Sequence, residues 1–243
     1  MSASAPHPDL PPGTPVEPHP ALDALIGVMH RLRAPGGCAW DAEQTHESLT
    51  KYLIEEAHEL VDAIEHGSRD DMLEELGDVL YQVLFHADIA AADAEHPFTI
   101  DDVAARSMRK MVGRHPHVFA DVVADTADEV SANWETWKAA EKPARTSVLD
   151  GLPAALPALV RAEKVLSRAE RLGVEQRPLS TTDDTRGAEP THVTADERAL
   201  GEQLLHLVAV ARERGWDAER ALRMAVRDLE TSIRDHERGR AER

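Results

Sequence analysis

The chain has 243 residues, enough for one large or two small domains, and its 42% hydrophobic content allows a buried core. A balance of 27 basic against 45 acidic residues, net charge −18, disfavours a nucleic-acid backbone or an anionic membrane as the main partner. Aromatic residues make up 4% while Ala, Leu, Glu and Arg dominate, which favours helices over sheets, and no run has the alternation of a strand.

The first 20 residues carry prolines at positions 6, 8, 11, 12, 15, 18 and 20 among small and polar residues, the composition of a disordered tail. There is no basic region followed by an apolar stretch, and no apolar run near the ~20 residues a membrane span needs. With a single cysteine, Cys38, ruling out an internal disulfide, a soluble cytoplasmic protein is expected. An amphipathic helix is expected from Ala21 to Leu32, with Leu22, Leu25, Ile26 and Met29 on its apolar side, stopping before Pro35-Gly36-Gly37. Cys38 to Asp41 then leads into a helix from Leu49 to His66, where Leu53, Ala57, Leu60 and Ile64 form an apolar stripe. Gly67 can cap its end, and Ser68 with Asp71 forms a capping box that starts the next helix.

This hairpin holds two acidic pairs, Glu56 with Glu59 and Glu75 with Asp78, each spaced three apart and so sharing a helix face. Glu59 and Glu75 each lie eight positions from Gly67, and Glu56 and Asp78 each lie eleven. In an antiparallel hairpin these matched distances put both pairs at similar heights. Like charges on one face destabilise a helix unless neutralised, so four converging carboxylates suit a divalent cation such as Mg²⁺. A solvated acidic face is the plain alternative. A di-iron site built on Glu55 and His58 is disfavoured, because no second E-x-x-H occurs in the core.

Thr99 with Asp102 opens a further helix to about Val112, and Pro116 disfavours helix at His115. Thr126 with Glu129 caps a helix through Trp134 and Trp137 to about Glu141, halted by Pro143. Another helix runs from about Leu156 to Leu172 and ends at Gly173. Residues 175–195 read as a flexible linker, followed by helices from Asp196 to about Arg214 and from Asp217 to about Glu237. Leu76-Gly77-Asp78 with its apolar followers is echoed by Leu200-Gly201-Glu202, which suggests a degraded duplication in which Ala199 stands where Glu75 does.

With GCAWDAEQTHESL at Gly37 to Leu49, the two acidic elements, RHPHVF at Arg114 to Phe119, WETWK at Trp134 to Lys138 and LPALVRAEK at Leu156 to Lys164, the sequence resembles the MazG nucleoside triphosphate pyrophosphohydrolases. These motifs span residues 22 to 172. The resemblance implies an all-α helical bundle with the acidic antiparallel hairpin as its site, followed by a degenerate second copy. The organisation expected is a tail (1–20), a catalytic domain with a trailing helix (21–174), a linker (175–195) and the degenerate repeat with a charged tail (196–243). It further implies Mg²⁺-dependent hydrolysis of nucleoside triphosphates to monophosphate and pyrophosphate, with Mn²⁺ as a substitute metal. On this resemblance Glu56, Glu59, Glu75 and Asp78 are the metal ligands, with Glu55 auxiliary and Glu59 or Glu56 as general base. Lys110 and Arg114 hold phosphates, Lys138 and Lys51 are weaker candidates, and Trp134 stacks on the base. The chain is expected to be a homodimer.

Two rival readings remain. One is a narrower enzyme of the same class, dUTPase-like or a phosphoribosyl-ATP pyrophosphohydrolase. The other is a non-catalytic helical module that binds a protein partner.

Overall fold

The computed structural model describes residues 10–11, 13–15, 17–127, 129–130, 133, 137, 146–174 and 196–241. Among these residues the regular structure is helical throughout and no strand occurs, so the fold is all-α. The chain divides into two compact units, Met1–Lys142 and Pro143–Arg243. No described helix is long and apolar enough to cross a membrane.

In the first unit α1 (Pro20–Arg33) starts with proline at its opening position, where a missing N–H costs nothing. A five-residue helix, α2 (Ala39–Glu43), follows the turn; the sequence gives it no periodicity to read. The hairpin is α3 (His46–His66) and α4 (Arg69–Ala91), joined by Gly67 and Ser68 alone. α3 begins three residues before Leu49, because Thr45 and Ser48 form a reciprocal cap: the Ser48 N–H donates to Thr45 Oγ1 at 3.2 Å and the Thr45 N–H to Ser48 Oγ at 2.9 Å. The Ser68–Asp71 box forms as expected, with bonds of 3.1 and 2.7 Å. Gly67 is extended rather than left-handed. What it supplies is room, since a Cβ there would stand 2.7 Å from the Ala63 Cα.

α5 (Ile100–Arg114) opens on the Thr99–Asp102 box, and α6 (Pro116–Phe119) restarts the helix with Pro116 first, after a break at His115. The Thr126–Glu129 cap also forms. The core joins Met29 of α1, Leu49 of α3, and Leu84 and Phe85 of α4, flanked by Leu25, Ile26, Tyr52, Tyr81 and Ile100. The Arg33 guanidinium ties this corner together, donating to Asp88 at 2.9 Å and to the Asp41 carbonyl at 2.8 Å. The stripe expected on α3 is largely uncovered: Leu53, Ala57 and Ile64 are exposed, Ile64 at 60%, and Leu60 is half-buried, whereas the buried positions of this helix are Leu49 and Ala63. The reason is that α4 is the main neighbour of α3 among the described helices, so the apolar surface turned away from α4 is left open.

In the second unit α7 (Ala158–Arg171), α8 (Glu197–Glu213) and α9 (Ala218–Ala241) pack pairwise around Leu166, Val208 and Ala209. Asp196 caps α8, accepting the Ala199 N–H at 2.8 Å. Gly215, at φ +69°, makes the left-handed turn between α8 and α9.

Candidate active site

The short connection between α3 and α4 brings three of the four expected carboxylates together. Glu56 of α3 and Glu75 and Asp78 of α4 each offer a carboxylate oxygen, and these oxygens lie within 4.8 Å of one another. Glu56 and Glu75 are half-buried and Asp78 is exposed. Glu59 is exposed and stands outside this trio, yet its charge acts on both Glu56 and Glu75.

Burial first, then the charges of Asp78, Glu59, Glu75 and Glu55, push the Glu56 carboxyl above the usual carboxylate range. Glu75 is raised in the same way, by burial and then by Glu59 and Asp78. One oxygen of Glu75, Oε2, is buried and accepts no hydrogen bond. An acceptor in that condition calls for a proton or a cation. Three hard oxygen donors meeting beside an unbonded carboxylate oxygen fit a divalent cation.

Glu55 is exposed and contributes through its charge on Glu56. His58 turns back along its own helix, its Nδ1 2.7 Å from the Ile54 carbonyl, and is no part of the cluster. Lys110 is exposed on α5, and Arg114 is half-buried at the end of that helix. The Lys51 ammonium lies over the Tyr52 ring at 4.5 Å. Trp40 is 50% exposed and meets the same ring edge-on at 5.8 Å. His115 has its Nδ1 2.6 Å from the Met111 carbonyl, and His117 stacks on Trp137 at 5.3 Å. Trp134 and Lys138 lie outside the described residues.

Two features escape the sequence reading. His46 and His86 stack at 5.1 Å with their Nδ1 atoms 2.8 Å apart, a bond across the hairpin that nothing local announces. Arg106 shares a cavity with Lys110, and here a signal existed, the four-residue spacing from Arg106 to Lys110 to Arg114.

Comparison with known proteins places these helices. The model of the MazG nucleotide pyrophosphohydrolase domain matches residues 44–119, from the start of the hairpin to the end of α6. An uncharacterised 26.1 kDa protein of Streptomyces cacaoi is 45% identical over 232 residues, covering 96% of this chain and 89% of that one. The nucleoside triphosphate pyrophosphohydrolase of Escherichia coli K12 is 38% identical, over 89% of this chain and 87% of its own. The nucleoside triphosphate pyrophosphohydrolase/pyrophosphatase MazG of Thermotoga maritima is 39% identical over 85% and 81%. A crystal structure of a mazG-related protein from Thermotoga maritima matches 48% of this chain and 97% of that one, at TM-score 0.40 and 24% identity. Similarity of this order over most of the chain, with the domain match falling on the acidic hairpin itself, means that the chain belongs to the MazG nucleotide pyrophosphohydrolase family.

Proposed function

We propose that this chain hydrolyses nucleoside triphosphates between the α and β phosphates, releasing monophosphate and pyrophosphate in a housekeeping role on the nucleotide pool. The observation that carries the reading is the meeting of Glu56, Glu75 and Asp78 around an unbonded carboxylate oxygen. These three, joined by Glu59, would hold Mg²⁺, with Mn²⁺ as a substitute. When bound, the cation supplies positive charge to the triphosphate and makes a water more acidic.

The protein's own groups do the rest. A carboxylate, Glu59 at the edge of the trio or Glu56 within it, takes a proton from the attacking water. The oxygen adds to the α phosphorus, the bond from that phosphorus to the bridging oxygen breaks, and pyrophosphate leaves with the electron pair. Lys110 and Arg114 hold the phosphates, with Lys138 as a further cation and Trp134 stacked on the base. Glu55 strengthens the field at Glu56.

We also infer a homodimer, supported by the hairpin's uncovered apolar surface. Leu73, Leu76, Leu80 and Val83 form one stripe on α4 and are 71%, 49%, 38% and 40% exposed.

Product analysis with ribo-, deoxyribo- and modified triphosphates, with and without Mg²⁺, tests the reading. Glu59→Gln is expected to lower turnover by about 10²–10⁴-fold with helicity unchanged, and Asp78→Asn to abolish it. A single accepted substrate, dUTP or phosphoribosyl-ATP, would select the narrower enzyme. No release of pyrophosphate from any triphosphate would select the non-catalytic module.

A further inference from the structure

From Val103 to Arg114, α5 carries Arg106, Arg109, Lys110 and Arg114 and no carboxylate, although the chain as a whole bears a charge of −18. Arg106, Lys110 and Arg114 recur every four positions, so they stand in a row on one side of the helix, about 12 Å from first to last. Arg106 and Lys110 line one open cavity of about 600 Å³ with Arg109, Val103 and the ring of Phe98.

The cavity's single carboxylate is already engaged. Asp102 accepts the Thr99 N–H and the Thr99 hydroxyl, each at 2.8 Å, and those two bonds, with Arg109 beside it, hold its carboxyl below the usual range. Among the described residues no ion pair or hydrogen bond occupies the side chains of Arg106 and Lys110. Phe98 and Val103 supply the cavity's apolar lining.

We propose that Arg106 is a third phosphate-binding residue, extending the pair Lys110 and Arg114 so that a row of three cations meets a row of three phosphates and prefers triphosphate to shorter chains. The proposal rests on the reading of Lys110 and Arg114 as triphosphate-binding residues. It adds a residue to that site and a reason for choosing substrates by phosphate number.

The test is calorimetric binding of inorganic tripolyphosphate and of pyrophosphate to the full chain in EDTA, which removes any contribution from the acidic hairpin's metal. Arg106→Gln should weaken tripolyphosphate by about tenfold, the scale of one charge-assisted hydrogen bond, and pyrophosphate by less than about threefold. Arg106→Lys should keep most of the affinity. In turnover, Arg106→Gln should raise KM by about the same tenfold factor and leave kcat within about twofold. Arg106 is exposed, so the variant keeps its helices, which circular dichroism verifies. Equal tripolyphosphate affinity of the wild type and Arg106→Gln overturns the proposal, as does an absence of tripolyphosphate binding by the wild type. If the expected binding loss is seen while no triphosphate releases pyrophosphate, the anion site stands and the hydrolase reading falls.

Discussion

Oε2 of Glu75 is shut off from water and accepts no hydrogen bond, a condition that costs free energy until a cation or proton reaches it. Mg²⁺ should therefore raise the melting temperature of the wild type. At a concentration a hundredfold above its dissociation constant, a ligand of the folded state adds about 2.7 kcal/mol. Glu75→Gln should lose most of that rise in thermal unfolding with and without the metal. The acidic spacing was enough to nominate four carboxylates, because i, i+3 geometry is local. Which oxygen is left without a donor depends on how α3 closes against α4, and no local pattern carries that. His86 makes a second residue-scale prediction. Burial first, and His46 second, hold it below the ordinary imidazole value of 6.5. The unfolded chain takes up the proton before the folded one does, so stability falls as pH drops below about 6.5 and levels off once the folded imidazole is also charged. His86→Asn should flatten the dependence of melting temperature on pH across that window.

The hairpin turn makes a demand of its own at the scale of elements. A side chain on Gly67 would meet the Ala63 backbone, with a Cβ 2.7 Å from its Cα. Gly67→Val should cost about 1–3 kcal/mol in urea unfolding, the usual range for forced overpacking. It should also weaken metal binding, because the helices must part or slide to admit the branch. The three Ser/Thr-x-x-Asp/Glu boxes at Ser68, Thr99 and Thr126 could be read from sequence because each closes within one turn of chain. The Thr45–Ser48 box could not, since a serine rather than an acid sits at its third position. Nor could the five residues of α2, which are too few to show a period. The Leu53-to-Ile64 stripe was read as apolar, and it is; how far it would be covered turned on how many helices lie beside α3, a matter of tertiary arrangement.

Across the whole molecule, the amount of apolar surface left uncovered is large for a chain of such charge. Leu73 and Ile64 on the hairpin are 71% and 60% exposed, and Leu207 and Leu229 in the second unit are 61% and 63% exposed. Surfaces of that kind mark association sites more often than bare solvent faces. Leu73→Glu should shift the mass measured by light scattering from dimer to monomer, with helical content retained. All-α character and the meeting of Glu56, Glu75 and Asp78 were legible in the sequence, from composition and short-range spacing. The covering of these faces was not, because it requires partners that the local chain does not name. The turn at Gly67 and Ser68 has one more consequence, for the order of folding. Every carboxylate of the acidic centre belongs to the single continuous stretch from Glu56 to Asp78, so only a short loop must close for them to meet. Closing α3 on α4 brings these charges together, where they repel. A divalent ion present at that moment would act as a folding ligand and speed the refolding of the first unit.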